Sequence, residues 1–351
     1  FGSSISLLIA ILGFLFAKEI LQLMGASPEV LAIGVPYTKI IFAGNLAVML
    51  LFLINGAFRG AGQAHLAMRA LWLSNGINII LDPILIFGLG SFEGLGLVGA
   101  AWATTTGRSI GVLYQLYHLL NGKHRLAILA ENIKFKWVTM KRIASISIGG
   151  MGQFLIDSAA WIVLTRITAE FGSSSVAGFT IAFRILIFSL MPAWGLSAAA
   201  STLVGQNLGA KKIKRASLSV WLTARYNVIF LSIITILYLT FGNTLASWFT
   251  LSEEVSQIAA LGLKIIVLGY IFFAVGMVMI QAFNGAGDTK TPMYINIGVL
   301  LLLEIPLAYF LSITLQMEVK GIFIAIAICH SLHALVAIWF FRKGRWKQIS
   351  I

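Results

Sequence analysis

An all-α polytopic membrane protein with two duplicated lobes is the fold class this sequence predicts, and three observations predict it. Hydrophobic residues fill 59% of the 351 positions and charged residues 11%, roughly half the charged share of a soluble domain. A soluble protein of this length cannot hide so much apolar surface from water. Ten segments reach the length of about 20 apolar residues that crossing hydrocarbon takes. Finally, residues 27–62 reappear without a gap at residues 252–287.

The ten expected spans are 3–23, 33–56, 69–89, 96–119, 143–169, 177–205, 217–249, 257–283, 292–313 and 321–341. Residues 3–17 resemble the core of a signal peptide, but no basic leader or small-residue cleavage site accompanies them, so a spanning helix is the better reading. The second and eighth spans are the two copies of the repeat, with Lys39-Ile40-Ile41 against Lys264-Ile265-Ile266 and Gly44 against Gly269. Both copies end in a glycine-rich turn, Ala57-Phe58-Arg59-Gly60-Ala61-Gly62 and Ala282-Phe283-Asn284-Gly285-Ala286-Gly287. Glycines there permit chain reversal and close backbone approach, as do Gly205 and Gly209 after the sixth span. The period is far too long for a solenoid unit. Duplicated halves in a membrane chain point to a transporter.

Charge places the loops. Of the 25 Lys and Arg, 17 fall in one set of alternate loops (57–69, 120–142, 206–216, 284–291 and the tail from 342). Lys123, Arg125, Lys134, Lys136, Lys141 and Arg142 crowd the longest of these, and Lys211, Lys212, Lys214 and Arg215 another. The opposite set holds Lys320 alone, together with Glu29, Glu93, Glu170, Glu253, Glu254 and Glu318. That asymmetry is the positive-inside rule and puts both ends in the cytoplasm. The net charge of +13 therefore reads as topology and contact with anionic lipid head groups rather than nucleic-acid binding. Cys329 is a lone cysteine and excludes an intramolecular disulfide.

The spans at 143–205 precede the second copy of the repeat, and their counterparts would lie before the chain begins at Phe1. The expectation is a twelve-helix architecture of which this chain lacks the first two helices. A ten-helix protein with unequal halves is the alternative.

Three stretches carry a family resemblance. One runs through Gly60-Ala61-Gly62, Asn78-Ile79-Ile80-Leu81-Asp82-Pro83-Ile84-Leu85-Ile86-Phe87-Gly88 and Gly99-Ala100-Ala101-Trp102-Ala103-Thr104. The others are Leu203-Val204-Gly205-Gln206-Asn207-Leu208-Gly209-Ala210 and Asn284-Gly285-Ala286-Gly287-Asp288-Thr289-Lys290. In order and spacing they resemble the multidrug and toxic compound extrusion (MATE) family, over essentially the whole chain. The resemblance implies a cation-driven exporter with two six-helix lobes around a central cavity. On that frame residues 1–120 are the first lobe (family helices 3–6), 121–142 a cytoplasmic linker, and 143–351 the second lobe (family helices 7–12).

The sharpest local chemistry lies on the third and fourth spans. Asp82 sits about 10 Å from the outer end of its span at 1.5 Å per residue. A carboxylate at such depth costs about 2.5–3.5 kcal/mol on insertion scales and needs a partner or a purpose. Asn78 is one turn away on the same face. The loop 90–95 is short, so the next span returns antiparallel and brings Ala100 and Thr104 level with Asp82. Carboxylate, amide and hydroxyl oxygens suit Na⁺, and the carboxylate alone suits H⁺. Pro83 frees the carbonyl of Ile79, a further oxygen nearby. Against this stands a local cap or pairing of Asp82 beside a proline kink. The resemblance implies the cation reading: positions matching Asn78, Asp82, Ala100 and Thr104 line a first-lobe cation site in several MATE proteins. That site also uses an acid on family helix 1.

Asp157, with Gln153 one turn before it, is a candidate binder of cationic substrate or a second coupling acid; pairing with Arg184 is the alternative. Phe273 and Met277, with Phe272 and Met279, either line a greasy cavity or pack against lipid. One branch of the family carries an acid on family helix 10, where this chain has Phe272-Phe273-Ala274-Val275, so a second-lobe site of that kind is not expected. Glu304 relays protons or is satisfied by a neighbouring helix. Lys39 and Lys264 are expected to snorkel or pair structurally, and Arg166 and Glu170 to form an ordinary ion pair. His330 and His333 lack a third ligand at metal spacing, which favours interhelical hydrogen bonds.

The expected function is multidrug efflux: export of small, cationic, amphipathic compounds by antiport against Na⁺ or H⁺. No other cofactor is expected, membrane lipids are the surroundings, and the working unit is a monomer in the inner (cytoplasmic) membrane of a bacterium. A lipid-linked precursor flippase is the nearest rival, and a channel a more distant one. No nucleophile–base pair or metal triad suggests an enzyme.

Overall fold

The computed structural model describes residues 2–122, 126–128 and 136–348. It divides into two compact units, Phe1–Trp137 and Val138–Ile351. Residues 123–125 and 129–135 of the expected linker, with Lys123, Arg125 and Lys134, lie outside the described residues.

The first unit runs through α1 (Gly2–Leu15), α2 (Ala17–Leu23), α3 (Pro28–Ala43), α4 (Asn45–Gly60), α5 (Ala64–Phe87) and α6 (Leu97–Leu120). The first expected span is not one helix: α1 and α2 are bent by 73°. The break falls at Phe16, whose ψ of 20° leaves the helical region. It separates an apolar helix from a short segment bearing Lys18, Glu19 and Gln22, residues that gain nothing by continuing into hydrocarbon. The second expected span bends by 42° between α3 and α4, at Gly44. By contrast α5 stays continuous through Pro83, four residues from its end, so the expected kink at the proline is not a break.

A minimal hairpin joins α5 to α6: β1 (Gly88–Leu89) pairs antiparallel with β2 (Phe92–Glu93), in the register Gly88 to Glu93 and Leu89 to Phe92. The short loop thus returns α6 antiparallel against α5. Among the described residues, seven helices are long and apolar enough to cross a membrane, and nine if each bent pair counts as one span. The remaining expected span, the fourth (96–119), is α6; it has the length, 24 residues, but Thr104, Thr105, Thr106, Arg108 and Ser109 interrupt its apolar run.

The second unit comprises α7 (Trp137–Ala169), α8 (Ser173–Gly209), α9 (Ile213–Ser247), α10 (Glu253–Ile266), α11 (Tyr270–Gly285), α12 (Lys290–Asn296), α13 (Ile305–Tyr309) and α14 (Glu318–Lys343). A single 3₁₀ turn, Val267–Gly269, joins α10 to α11. Two π-helical stretches, Ile297–Glu304 and Phe310–Thr314, flank α13 in the span Lys290–Thr314. Its core holds Phe179, Leu231, Leu263, Ile322 and Phe323 in one cluster and Val204, Val220, Met279, Phe283 and Trp346 in a second.

The sequence repeat is written into the helix ends. Ser27 and Ser252 occupy equivalent positions, and each hydroxyl accepts from a backbone N–H three residues on, Val30 and Val255, at 3.4 Å. At the other end Gly62 and Gly287 adopt φ of 80° and 79°, left-handed values that glycine tolerates and a side chain resists. The middle differs. Gly44 bends its copy, whereas Gly269 sits in a 3₁₀ turn within one 33-residue span. No residue of α3 is buried, while α10 buries six, so the two copies are packed to different degrees.

Candidate functional site

In the first unit, glycines on α6 allow close approach to α5. A Cβ added at Gly107 would lie 2.7 Å from the carbonyl oxygen of Ser74 and 3.3 Å from Cβ of Asn78. At Gly99 it would run into the carbonyl of Leu85. These contacts set the register of the pair and place Asp82 level with the stretch between Ala100 and Thr104. Asn78, Asp82, Ala100 and Thr104 are all half-buried. They share one helix–helix seam without closing into a bonded cluster: no hydrogen bond or ion pair joins Asp82 to a described residue. Asn78 Nδ2 and the neighbouring Ser74 Oγ are buried without a hydrogen-bond partner. Arg108, one turn beyond Thr104, donates to Asn75 Oδ1 at 3.2 Å instead of reaching the carboxylate. The seam therefore presents a carboxylate with no fixed cation, an amide and a hydroxyl, hard donors that suit a proton or a small monovalent cation.

Deeper in the same unit, Gln115 donates from Nε2 to Asn55 Oδ1 at 2.8 Å and to the Leu51 carbonyl at 3.3 Å. This pair, buried on α4 and α6, was not anticipated from sequence, because an amide carries no charge signal.

In the second unit a cavity of about 470 Å³ lies among α7, α8, α11, α14 and the π-helical span. Gln153, Asp157, Phe273 and Met277 all line it, so these expected residues share one space. Phe272 is exposed and Met279 is fully buried in the core; only one residue of each aromatic and methionine pair reaches the cavity. Trp161, Phe183, Trp194 and Tyr270 complete an aromatic wall, and no Lys or Arg is among the described lining residues.

The polar side of this cavity is built across three elements. Asn296, at the end of α12, donates from Nδ2 to Asp157 Oδ1 at 2.9 Å. His333 Nε2 lies 2.9 Å from Asn296 Oδ1. Asp157 thus pairs with an amide rather than with Arg184, which lines a separate recess with Thr180, Phe188 and Met191. The reason is positional: Arg184 is exposed on α8 and does not line the cavity. Glu304 is buried, and His330 Nε2 stands 3.9 Å from its Oε1. The two histidines therefore serve interhelical contacts, and among the described residues no group of three metal-ligating side chains forms. A second network fixes the start of the span: Gln153 Nε2 donates to Asn284 Oδ1 at 3.1 Å and to the Thr289 carbonyl at 2.9 Å. Thr289 in turn donates to the Ile146 carbonyl at 2.8 Å.

The remaining charges behave as structural groups. Arg166 and Glu170 form an exposed ion pair at 3.7 Å. Lys39 stands 5.3 Å from the centroid of the Phe14 ring, a cation–π contact. Its repeat equivalent, Lys264, lines a shallow polar recess with Asn243, Ser247 and Ser252.

Comparison with known proteins gives a consistent picture. The chain is 24% identical over 350 residues to the probable multidrug resistance protein YoeA of Bacillus subtilis, covering 99% of this chain and 75% of that one. It is 27% identical over 319 residues to the probable multidrug resistance protein NorM of Thermotoga maritima (90% and 68%). With the multidrug export protein MepA of Staphylococcus aureus it shares 26% identity over 342 residues (96% and 73%). Among solved structures, a MATE protein in the straight conformation superposes with a TM-score of 0.90 at 24% identity, covering 97% of this chain and 76% of that chain. A MOP superfamily transporter from Pyrococcus furiosus gives 0.91 at 23%, with the same coverage. At such identities the likeness shows the fold. The MatE family model matches residues 1–84 and 151–310, and this multi-pass α-helical membrane protein therefore belongs to the MatE family.

Proposed function

We propose that the protein exports small, cationic, amphipathic compounds from the cytoplasm by antiport against Na⁺ or H⁺. The observation that carries the reading is the cavity of the second unit, aromatic on one wall, bearing Asp157 and Glu304 on the other, and lined by no Lys or Arg among the described residues. Its 470 Å³ falls in the range of about 300–1,000 Å³ typical of drug-sized ligands. Aromatic faces and a carboxylate together select a flat organic cation. A flippase for lipid-linked precursors would need cationic groups for its phosphates, so the lining favours export of cations. The names of the relatives, multidrug resistance and multidrug export proteins, agree.

Coupling is assigned to Asp82, with Asn78, Thr104 and the Ala100 backbone as neighbouring donors. Binding of Na⁺ or H⁺ cancels the Asp82 charge and changes the packing of the α5–α6 seam, which shifts the balance between access states. The protein would work as a monomer in the cytoplasmic membrane of a bacterium.

The test is export of a fluorescent monovalent cation from vesicles under separate Na⁺ and proton gradients, with wild type and Asp82→Asn. Gradient-dependent export by wild type under one ion and its loss in Asp82→Asn are the expected results. No export under either gradient overturns the transport reading, and unimpaired export by the variant overturns the role of Asp82.

A further inference from the structure

Glu304 is 2% exposed at the end of the π-helical stretch Ile297–Glu304, inside the membrane-spanning unit. A buried carboxylate needs compensation, and the group at hand is His330, 3.9 Å away. Spacing along the span places it there. Asn296, Leu300 and Glu304 are four residues apart, share one face, and all line the cavity. The His330 ring is held edge-on by Phe273, with centroids 5.0 Å apart and planes at 89°.

The other titratable groups facing the cavity are Asp157 on α7, Tyr270 on α11 and His333 on α14; the buried Cys329 adjoins His330 on α14. His333 is committed. With Asp157 ionised, Asn296 must turn its NH₂ toward the carboxylate, so its Oδ1 accepts and His333 Nε2 carries the hydrogen. Among the described residues, no such third group is hydrogen-bonded to Glu304 or His330. Two carboxylates therefore share a cavity without a lysine or arginine, and their counter-charge has to be protons or a cationic ligand.

We propose that Glu304 and His330 form a proton-exchange pair, which releases a proton to the medium when a monovalent cation settles beside Asp157 and takes one back when it leaves. This rests on the export reading and deepens it. One positive charge enters the cavity and one leaves, so the site stays near one net charge throughout.

The experiment titrates the whole protein in weakly buffered detergent with tetraphenylphosphonium, reading proton release with a pH indicator and binding by equilibrium dialysis. Wild type is expected to release about one proton per cation bound, and Glu304→Gln to release none per cation bound, at whatever cation concentration saturates it. Equal release by Glu304→Gln and wild type overturns the proposal. If Glu304→Gln fails to fold, His330→Asn carries the test: a displaced pH profile of release supports the pair, an unchanged profile rejects it. Should wild type not bind the probe, the export reading falls by itself. The pair is then read by the infrared band of a protonated carboxyl against pH. A band that shifts in His330→Asn sustains it, and a band indifferent to that substitution overturns it.

Discussion

Asn296 holds Asp157 through a 2.9 Å hydrogen bond while its own oxygen faces His333 at the same distance. One buried amide thus ties three elements, α7, α12 and α14, at the wall of the cavity. Hydrogen bonds to a charged group contribute about 1.5–3 kcal/mol. Asn296→Ala should therefore lower the unfolding temperature by several degrees. Asp157→Asn in the Asn296→Ala background should then add less than it does alone, because both changes break the same contact. Thermal unfolding of the four proteins in one detergent measures this. Strict additivity would mean that the bond contributes nothing.

Asp157 itself is exposed on the cavity wall. If it meets the positive charge of a substrate, Asp157→Asn should weaken binding of a monovalent aromatic cation by about tenfold, equivalent to about 1.4 kcal/mol. A neutral compound of the same shape should bind as before, held by the aromatic wall alone. Equilibrium dialysis with the matched pair decides; equal weakening of both compounds would show that the residue shapes the cavity rather than reads charge.

Composition and hydropathy made the membrane class legible, and the repeat foretold the paired turns at Gly62 and Gly287. What the sequence did not reveal follows from how weakly some signals speak. The break at Phe16 depends on where Lys18 and Glu19 can reach polar surroundings, which an average over 20 residues erases. Asp157 and Glu304 were visible as charges in apolar runs, but Asn296 was not, since an uncharged amide in a span raises no alarm until its neighbours are known. The π-helical winding between Asn296 and Glu304 leaves no periodic trace either, because the intervening residues are uniformly apolar. For Asp82 the spacing correctly brought α5 and α6 side by side, yet it suggested a tighter oxygen cluster than the seam contains.

The equivalent caps allow a comparison within one molecule. Loss of a serine N-cap costs about 0.5–2 kcal/mol. Ser252 begins a helix buried by six of its residues, whereas Ser27 begins one that buries none. Ser252→Ala should thus lower the global unfolding temperature, and Ser27→Ala should act locally, speeding amide exchange in the first turn of α3 with little change in the global transition. Differential scanning fluorimetry with hydrogen exchange separates the two. Identical global effects would show that α3 is as firmly packed as α10.

Gly107 offers the most direct control over the Asp82 seam. In the middle of a helix, glycine to alanine is intrinsically favourable by about 1 kcal/mol. Here the new methyl would stand 2.7 Å from the Ser74 carbonyl oxygen and 3.3 Å from Asn78 Cβ, and overpacking of that kind costs about 1–3 kcal/mol. The balance predicts a net loss of stability, taken up by separation of α5 from α6 and by displacement of Asn78 away from Asp82. Gly76→Ala, in the interior of α5 where an added Cβ meets no atom within 4 Å, is the control for helix propensity. If Asn78 helps hold the coupling ion beside Asp82, Gly107→Ala should raise the ion concentration needed for half-maximal export while leaving substrate binding in the second unit unchanged. A stabilised variant with unaltered ion dependence would show that the seam has slack, and that the close approach of these helices is not what shapes the site.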